Sequence, residues 1–216
     1  MKLFIVRSLL IGAIVAAPAY CNLVQNGQFM PDPGGSFTTV TTTSATQIPS
    51  WTVIGASSPS VDWIGSYWQA PPAGGYSVDL DGTSVSGVQQ TVSGLTDGQT
   101  CTLSFELSGN PDGNPATKLL DVSAGSVAPS SSPNFTFAVN TNGQSKTDMQ
   151  WVSESLVFQA VGTSTTIKFQ SLDTPGSNPY GPVIGDVSLT PEPRFYGIVG
   201  FGLASLAFFV RRRRSA

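Results

Sequence analysis

Apolar side chains recur at every second position of this chain, in short segments separated by Gly, Pro, Asn and Asp. Leu103, Phe105 and Leu107 alternate with Thr102, Ser104 and Glu106, and Phe135, Phe137 and Val139 alternate with Asn134, Thr136 and Ala138. A period of two puts the apolar residues on one face of a strand, and many such strands with turn signals between them build a sandwich or a barrel. Further strands are predicted at 23–28, 51–54, 76–80, 87–92, 119–123, 151–160, 165–171 and 183–189. No stretch between residues 22 and 190 keeps a 3.6-residue apolar period long enough for a major helix. The polar, Thr-rich segment 31–50 predicts a long loop. Asp97-Gly98 and Asn142-Gly143 predict tight turns, since these residues tolerate positive φ. The expected fold class is all-β.

Both ends of the chain carry targeting features and are set apart from the fold. Lys2 and Arg7 form a basic region, residues 8–16 an apolar one, and Ala17-Pro18-Ala19 a cleavage site, so 1–19 reads as a secretory signal peptide. At the other end, Pro191-Glu192-Pro193 precedes an apolar run from Phe195 to Val210 and then Arg211, Arg212, Arg213 and Arg214. As a helix those 16 residues would reach about 24 Å, short of the roughly 30 Å hydrocarbon core, so spanning would need thinning or snorkelling. The arginines would hold their end in the cytoplasm. This tripartite tail, 191–216, resembles the PEP-CTERM sorting signal of biofilm-forming bacteria. The resemblance implies an exosortase as partner, transient residence in the inner membrane, and delivery to the cell surface or extracellular matrix.

Residues 22–190 remain as one domain with enough chain for a substantial core. They hold three lysines, Lys118, Lys146 and Lys168, against twelve acidic residues, a net charge of −9. Such a surface repels nucleic acid and anionic lipid, which excludes a nucleic-acid role. The chain has no histidine, so Ser-His-Asp, Cys-His and imidazole-metal chemistry are excluded too. Carboxylate catalysis survives on paper: Asp79 and Asp81 share one strand face at a spacing of two, beside a Gly turn where acids sit for solvation. Cys21 stays in the mature chain if cleavage follows Ala19 and is lost if it follows Cys21 itself. Pairing of Cys21 with Cys101 is therefore left open.

Motifs spread over the domain carry a second resemblance. Asn22-Leu23-Val24-Gln25-Asn26-Gly27, Ile48-Pro49-Ser50-Trp51, Val61-Asp62-Trp63-Ile64-Gly65-Ser66-Tyr67-Trp68-Gln69, Gly109-Asn110-Pro111-Asp112-Gly113 and Tyr180-Gly181-Pro182-Val183-Ile184-Gly185-Asp186-Val187 resemble the choice-of-anchor C family. That family is similar to the plant cell-wall domain of unknown function 642. The resemblance implies a galactose-binding-like jelly-roll β-sandwich that associates with polysaccharide or matrix glycan, and the residues themselves favour a binding module over an enzyme. It also implies a structural calcium ion held by Asn26 and Asp186, although Met30 and Gly185 stand where the family usually has acids.

On this frame a carbohydrate site falls at the clustered aromatics, because aromatic rings offer platforms to the apolar faces of sugars while amides and carboxylates fix the hydroxyls. Tyr67 and Trp68 lie beyond Gly65 in a predicted loop, followed by Gln69, and are expected to be exposed. Asn110 and Asp112 sit in a Gly/Pro-rich loop as sugar contacts, and with Asn114 they could also hold calcium. Trp63, Trp51 and Trp151 read as core. A structural matrix protein without a ligand and a glycoside hydrolase are the alternatives.

Overall fold

The computed structural model describes residues 21–125, 134–174 and 179–192. Eleven strands form two antiparallel sheets: β1 (Phe37–Thr41), β2 (Thr52–Gly55), β3 (Ser60–Ile64), β4 (Ser77–Asp79), β5 (Ser86–Ser93), β6 (Thr100–Gly109), β7 (Thr117–Gly125), β8 (Asn134–Asn140), β9 (Val152–Gln159), β10 (Ser164–Ser171) and β11 (Pro182–Pro191). One sheet has the order β1-β3-β4-β11-β6-β9 and the other β2-β5-β10-β7-β8. They pack face to face as a jelly-roll β-sandwich. No described residue lies in a helix, and none of the described residues belongs to a helix long and apolar enough to cross a membrane. Residues 1–19, expected to form a signal peptide, and Pro193, the apolar run and its arginines lie outside the described residues.

The alternation in the sequence works as a sorting rule. Val61, Trp63, Val78, Leu103, Phe105 and Leu107 from one sheet meet Val88, Leu120, Val122, Ile167 and Phe169 from the other in a single buried cluster. Phe105 and Phe169 join the sheets edge to face, with ring centroids 5.1 Å apart. Trp51 and Trp63 are core, as expected, and both spend their indole N–H on the N-terminal segment: Trp51 donates to the Asn26 carbonyl at 3.0 Å and Trp63 to the Phe29 carbonyl at 2.8 Å. Trp151 is instead half-buried and packs in a smaller outer cluster. The Asp97-Gly98 and Asn142-Gly143 turns are present, with Gly98 at φ 69° and Gly143 at φ 85°.

Two expectations are corrected. Segment 23–28 is not a strand. Its Leu23 N–H reaches the Leu189 carbonyl at 2.9 Å and its Gly27 carbonyl accepts from Val187 at 3.0 Å, but Asn26 and Phe29 take positive φ and turn the chain off the ladder. The last strand cannot offer a straight edge there, because β11 bulges between Gly185 and Ser188 with Asp186 at φ 47°. Gly27 fits against this bulge for lack of a side chain: a Cβ would stand 1.9 Å from the Val187 carbonyl oxygen. Segment 31–50 is not all loop, since β1 pairs Phe37 with Ile64 and Val40 with Val61. Its threonines are β-branched strand formers, and Val40 alone of the strand is buried.

The strand β11 runs one residue into the Pro-Glu-Pro motif. Pro191 pairs with Cys101, and the Glu192 N–H donates to the Thr100 carbonyl at 2.8 Å. Cys21 and Cys101 are both free thiols, the first exposed and the second buried.

Candidate functional site

The outer face of the six-stranded sheet is set by register. Asp62 on β3 stands directly opposite Asp79 on β4, and Asp79 opposite Val183 on β11, all pointing away from the core that Trp63 and Val78 enter. The residues after β3 fold back over this face. Trp68 packs there on Ile64, Met149 and Val183, and its indole N–H donates to the Ser77 hydroxyl at 3.0 Å. What this cover leaves open is a pocket of about 120 Å³ lined by Phe37, Asp62, Tyr67, Asn110, Asp112 and Tyr180, with Trp68, Ile64, Pro179 and Asp79 behind them.

Four of the five carbohydrate residues expected from sequence, Tyr67, Trp68, Asn110 and Asp112, thus meet at one pocket. Gln69 does not. Its side-chain oxygen accepts from the Met149 N–H at 2.8 Å and its backbone N–H donates to the Lys146 carbonyl at 2.7 Å, so it fastens the neighbouring loop. The exposure expected of Trp68 is overturned: it is 6% exposed, because the loop carrying it turns inward to cover Ile64 and Val183. The aromatic groups that do reach the opening are Tyr67, Phe37 and Tyr180. Phe37 is 44% exposed and meets Tyr67 edge-on with centroids 5.4 Å apart. Sequence reasoning passed over Phe37, although a phenylalanine at odd parity to buried Val40 in a threonine-rich strand is the signal that marks it.

The polar groups of the pocket are fixed before any ligand arrives. The Tyr67 hydroxyl donates to Asp112 Oδ2 at 2.7 Å and accepts from Lys146 Nζ at 2.7 Å, while Lys146 also lies 3.3 Å from Asp112 Oδ1. The hydrogen bond to Tyr67 raises the Lys146 pKa. Asn110 is spent twice, donating to Asp79 Oδ2 at 2.7 Å and accepting from the Asp112 N–H at 2.9 Å. Asp62 accepts from the Thr39 hydroxyl at 2.6 Å on Oδ1, and no hydrogen bond to its Oδ2 is found among the described residues. Burial raises the Asp62 pKa against the opposing pull of Thr39.

Behind the pocket lies a buried ionic group that the sequence did not disclose. Asp79 and Asp81, expected at a solvated turn, are instead 0% and 1% exposed. Asp79 Oδ1 accepts from the backbone N–H groups of Asp81 and Gly181, both at 3.0 Å. Asp81 accepts from the Ser171 hydroxyl at 3.0 Å. Lys118, fully buried, donates to the carbonyls of Gly113, at 2.8 Å, and Tyr180. Burial pushes Asp79 well above and Asp173 above the usual carboxylate range, and Asp81 up to about 6; it lowers Lys118, against the pull of Asp173, Asp79 and Asp81.

The calcium set implied by resemblance fits poorly. Asn26 Oδ1 accepts from the Met30 N–H at 2.6 Å, and its Nδ2 donates to the carbonyls of Met30 and Pro49. Asp186 Oδ2 accepts from the Ala73 N–H at 2.9 Å, which leaves Asp186 Oδ1, buried and without a partner, as the uncommitted oxygen. Calcium takes six to eight oxygens, so these two side chains do not by themselves make its site. Among the described residues no group of three or more Cys, Asp or Glu is placed to hold a metal.

Two measurements check this description. Trp68→Ala should lower stability by about 3–5 kcal/mol in chemical denaturation, as expected for loss of a packed indole; a change below about 0.5 kcal/mol would return the ring to the surface. The second concerns pH. Asp81 holds its proton in the folded chain up to about 6, whereas the unfolded chain loses it near 3.8, so the folded state binds more protons between those values. Stability contributed by this group therefore falls as pH rises from about 4 to about 6, by up to about 3 kcal/mol. Carbon-13 titration should place the Asp81 carboxyl near pH 6, and Asp81→Asn should flatten that part of the stability profile.

Residues 22–190 match the family described as protein of unknown function, DUF642. Halomucin from Haloquadratum walsbyi is 31% identical over 177 residues, which is 78% of this chain and 2% of the length of that relative. Arabinose-bound MgGH51 α-L-arabinofuranosidase superimposes with a TM-score of 0.52 at 14% identity, over 80% of this chain and 26% of that one, a likeness of fold. A family 35 carbohydrate-binding module from Clostridium thermocellum gives a TM-score of 0.45 at 12% identity, over 70% of this chain and 97% of its own. The match over 22–190 takes in both sheets and every residue of the pocket: the chain belongs to the DUF642 family.

Proposed function

We propose that the domain binds glycan without transforming it, taking one sugar unit into the pocket between Phe37, Tyr67 and Tyr180. The observation that carries this reading is the joint lining of one small concavity by aromatic rings and by fixed carboxylate and amide groups. Rings give a pyranose its apolar contact, and Asp62 Oδ2 offers an acceptor to its hydroxyls. A volume of about 120 Å³ lies below the roughly 300–1,000 Å³ of sites that enclose larger ligands, which suits a single unit at the end or side of a chain.

The hydrolase reading is weaker on this geometry. Asp62 and Asp79 are opposed across strands, but the Asp79 carboxyl is buried and accepts from Asp81, Gly181 and Asn110, which commits both of its oxygens to the fold. Asp112, the third carboxyl of the lining, is held by the Tyr67 hydroxyl and by Lys146, so Asp62 alone keeps an uncommitted oxygen and does not make an acid and base pair.

The rest of the proposal rests on the two ends of the sequence. The chain is a choice-of-anchor C type of surface protein, exported by its signal peptide, held briefly in the inner membrane, then cut by an exosortase and passed to the cell surface or matrix. Cleavage beyond Glu192 would leave β11 whole, since Pro191 and Glu192 both bond to β6.

For binding, the test is an array of neutral oligosaccharides followed by titration of the best ligand. Phe37→Ala should weaken binding by about thirtyfold, or about 2 kcal/mol, while leaving stability within about 0.5 kcal/mol. An array without a ligand would leave a purely structural matrix role. For sorting, intact mass of the protein from its native host should show an end near Pro191-Glu192-Pro193 without Arg211 to Arg214. Retention of Arg214 would mean a plain anchor.

A further inference from the structure

A second concavity, about 630 Å³, lies on the outer face of the five-stranded sheet, opposite the Tyr67 pocket. Its floor follows from register. Gln89 on β5 stands beside Lys168 on β10, and the next row runs from Ile54 through Gly87 to Gln170. Gly87 adds no side chain to this row, and a Cβ there would meet the Phe169 carbonyl oxygen at 2.2 Å. The walls are the segments around Ser57 and Thr83. They are tied together by the Ser84 hydroxyl, which donates to the Ser58 carbonyl at 3.0 Å, so the groove is formed without a ligand.

We propose that this groove is a second glycan site and that it takes an acidic sugar unit, with Lys168 facing the carboxylate and Gln89 and Gln170 the hydroxyls. The charge inventory carries the choice. Lys118 is buried on backbone carbonyls, Lys146 is held by Asp112 and Tyr67, and Lys168 makes no hydrogen bond or ion pair among the described residues. The groove that Lys168 lines contains no acidic residue, in a domain with twelve of them. Gln170 donates Nε2 to the Ser86 carbonyl at 2.7 Å, which orients its amide, and the Gln89 amide has no partner among the described residues. Asp121, paired with Gln170 on β7, lies near enough to feel Lys168 but outside the groove lining. The net charge of −9 disfavours a continuous polyanion, so the ligand is an isolated acidic unit on an otherwise neutral polymer. With the Tyr67 pocket on the other face, one domain then bridges two glycan strands.

The test is nuclear magnetic resonance titration of nitrogen-15-labelled protein with methyl β-glucuronoside and with methyl β-glucoside. The glucuronoside should shift the Gln89, Lys168 and Gln170 signals and bind about tenfold or more tightly than the glucoside, as a charge-assisted hydrogen bond predicts. Lys168→Gln should erase that difference and leave the melting temperature and the neutral-glycan binding of the Tyr67 pocket unchanged. Equal binding of the two sugars, shifts centred on the Tyr67 pocket, or no shift in the groove would each overturn the proposal. Because Lys168 is remote from Phe37 and Tyr67 on the opposite sheet, failure here leaves the single-unit pocket standing, and failure of that pocket leaves this one.

Discussion

The buried ammonium group of Lys118 sets the position of everything on one side of the candidate site. It rises from β7, runs its stem past Gly109, whose missing side chain makes the room, and ends on the carbonyls of Gly113 and Tyr180. Those carbonyls belong to the two segments that supply Asn110, Asp112 and Tyr180 to the pocket. A charge taken out of water needs full hydrogen bonding and a counter-charge, and here the carboxyls of Asp173, Asp79 and Asp81 supply the field. The arrangement therefore fixes two loops at once, and neither could drift without leaving a cation unsatisfied.

The opposite wall of the pocket is held by different means. Trp68, Met149, Ile64 and Val183 form an apolar cluster outside the main core, on the face of the sheet that a sandwich would otherwise leave to solvent. That cluster pins the loop bearing Tyr67, and the bonds of Tyr67 to Asp112 and Lys146 close the gap between the walls. The pocket thus joins an apolar support on one side to an ionic support on the other. On the far sheet the described residues lay no such apolar cover over the strands, and part of the outer face is a polar groove.

Some of this site was legible in the chain. Tyr67, Asn110 and Asp112 could be found because an aromatic past a glycine and oxygen-bearing side chains in a Gly/Pro loop are ill suited to a core. Trp68 shares the same signal and was misread, since a loop residue can fold onto a sheet face as readily as away from it. Asp79 and Asp81 beside Gly82 look like solvated turn residues, and their burial depends on Ser171, Gly181 and Asn110, up to about a hundred positions away. Phe37 was hidden in a segment whose threonines read as loop because β1 gains its structure only by pairing with β3.

What the sequence determined by itself was the class of fold and the facing of strands with clear alternation such as β6, because side-chain alternation along an extended backbone is a local property. It also determined the acidic balance and the absence of imidazole chemistry, which are matters of composition. The tertiary structure decided which polar residues are buried, which aromatic rings reach solvent, and that Asp62 faces Asp79. Those outcomes rest on strand register and on loops docking across the sheets, and neither is encoded in the neighbours of any one residue.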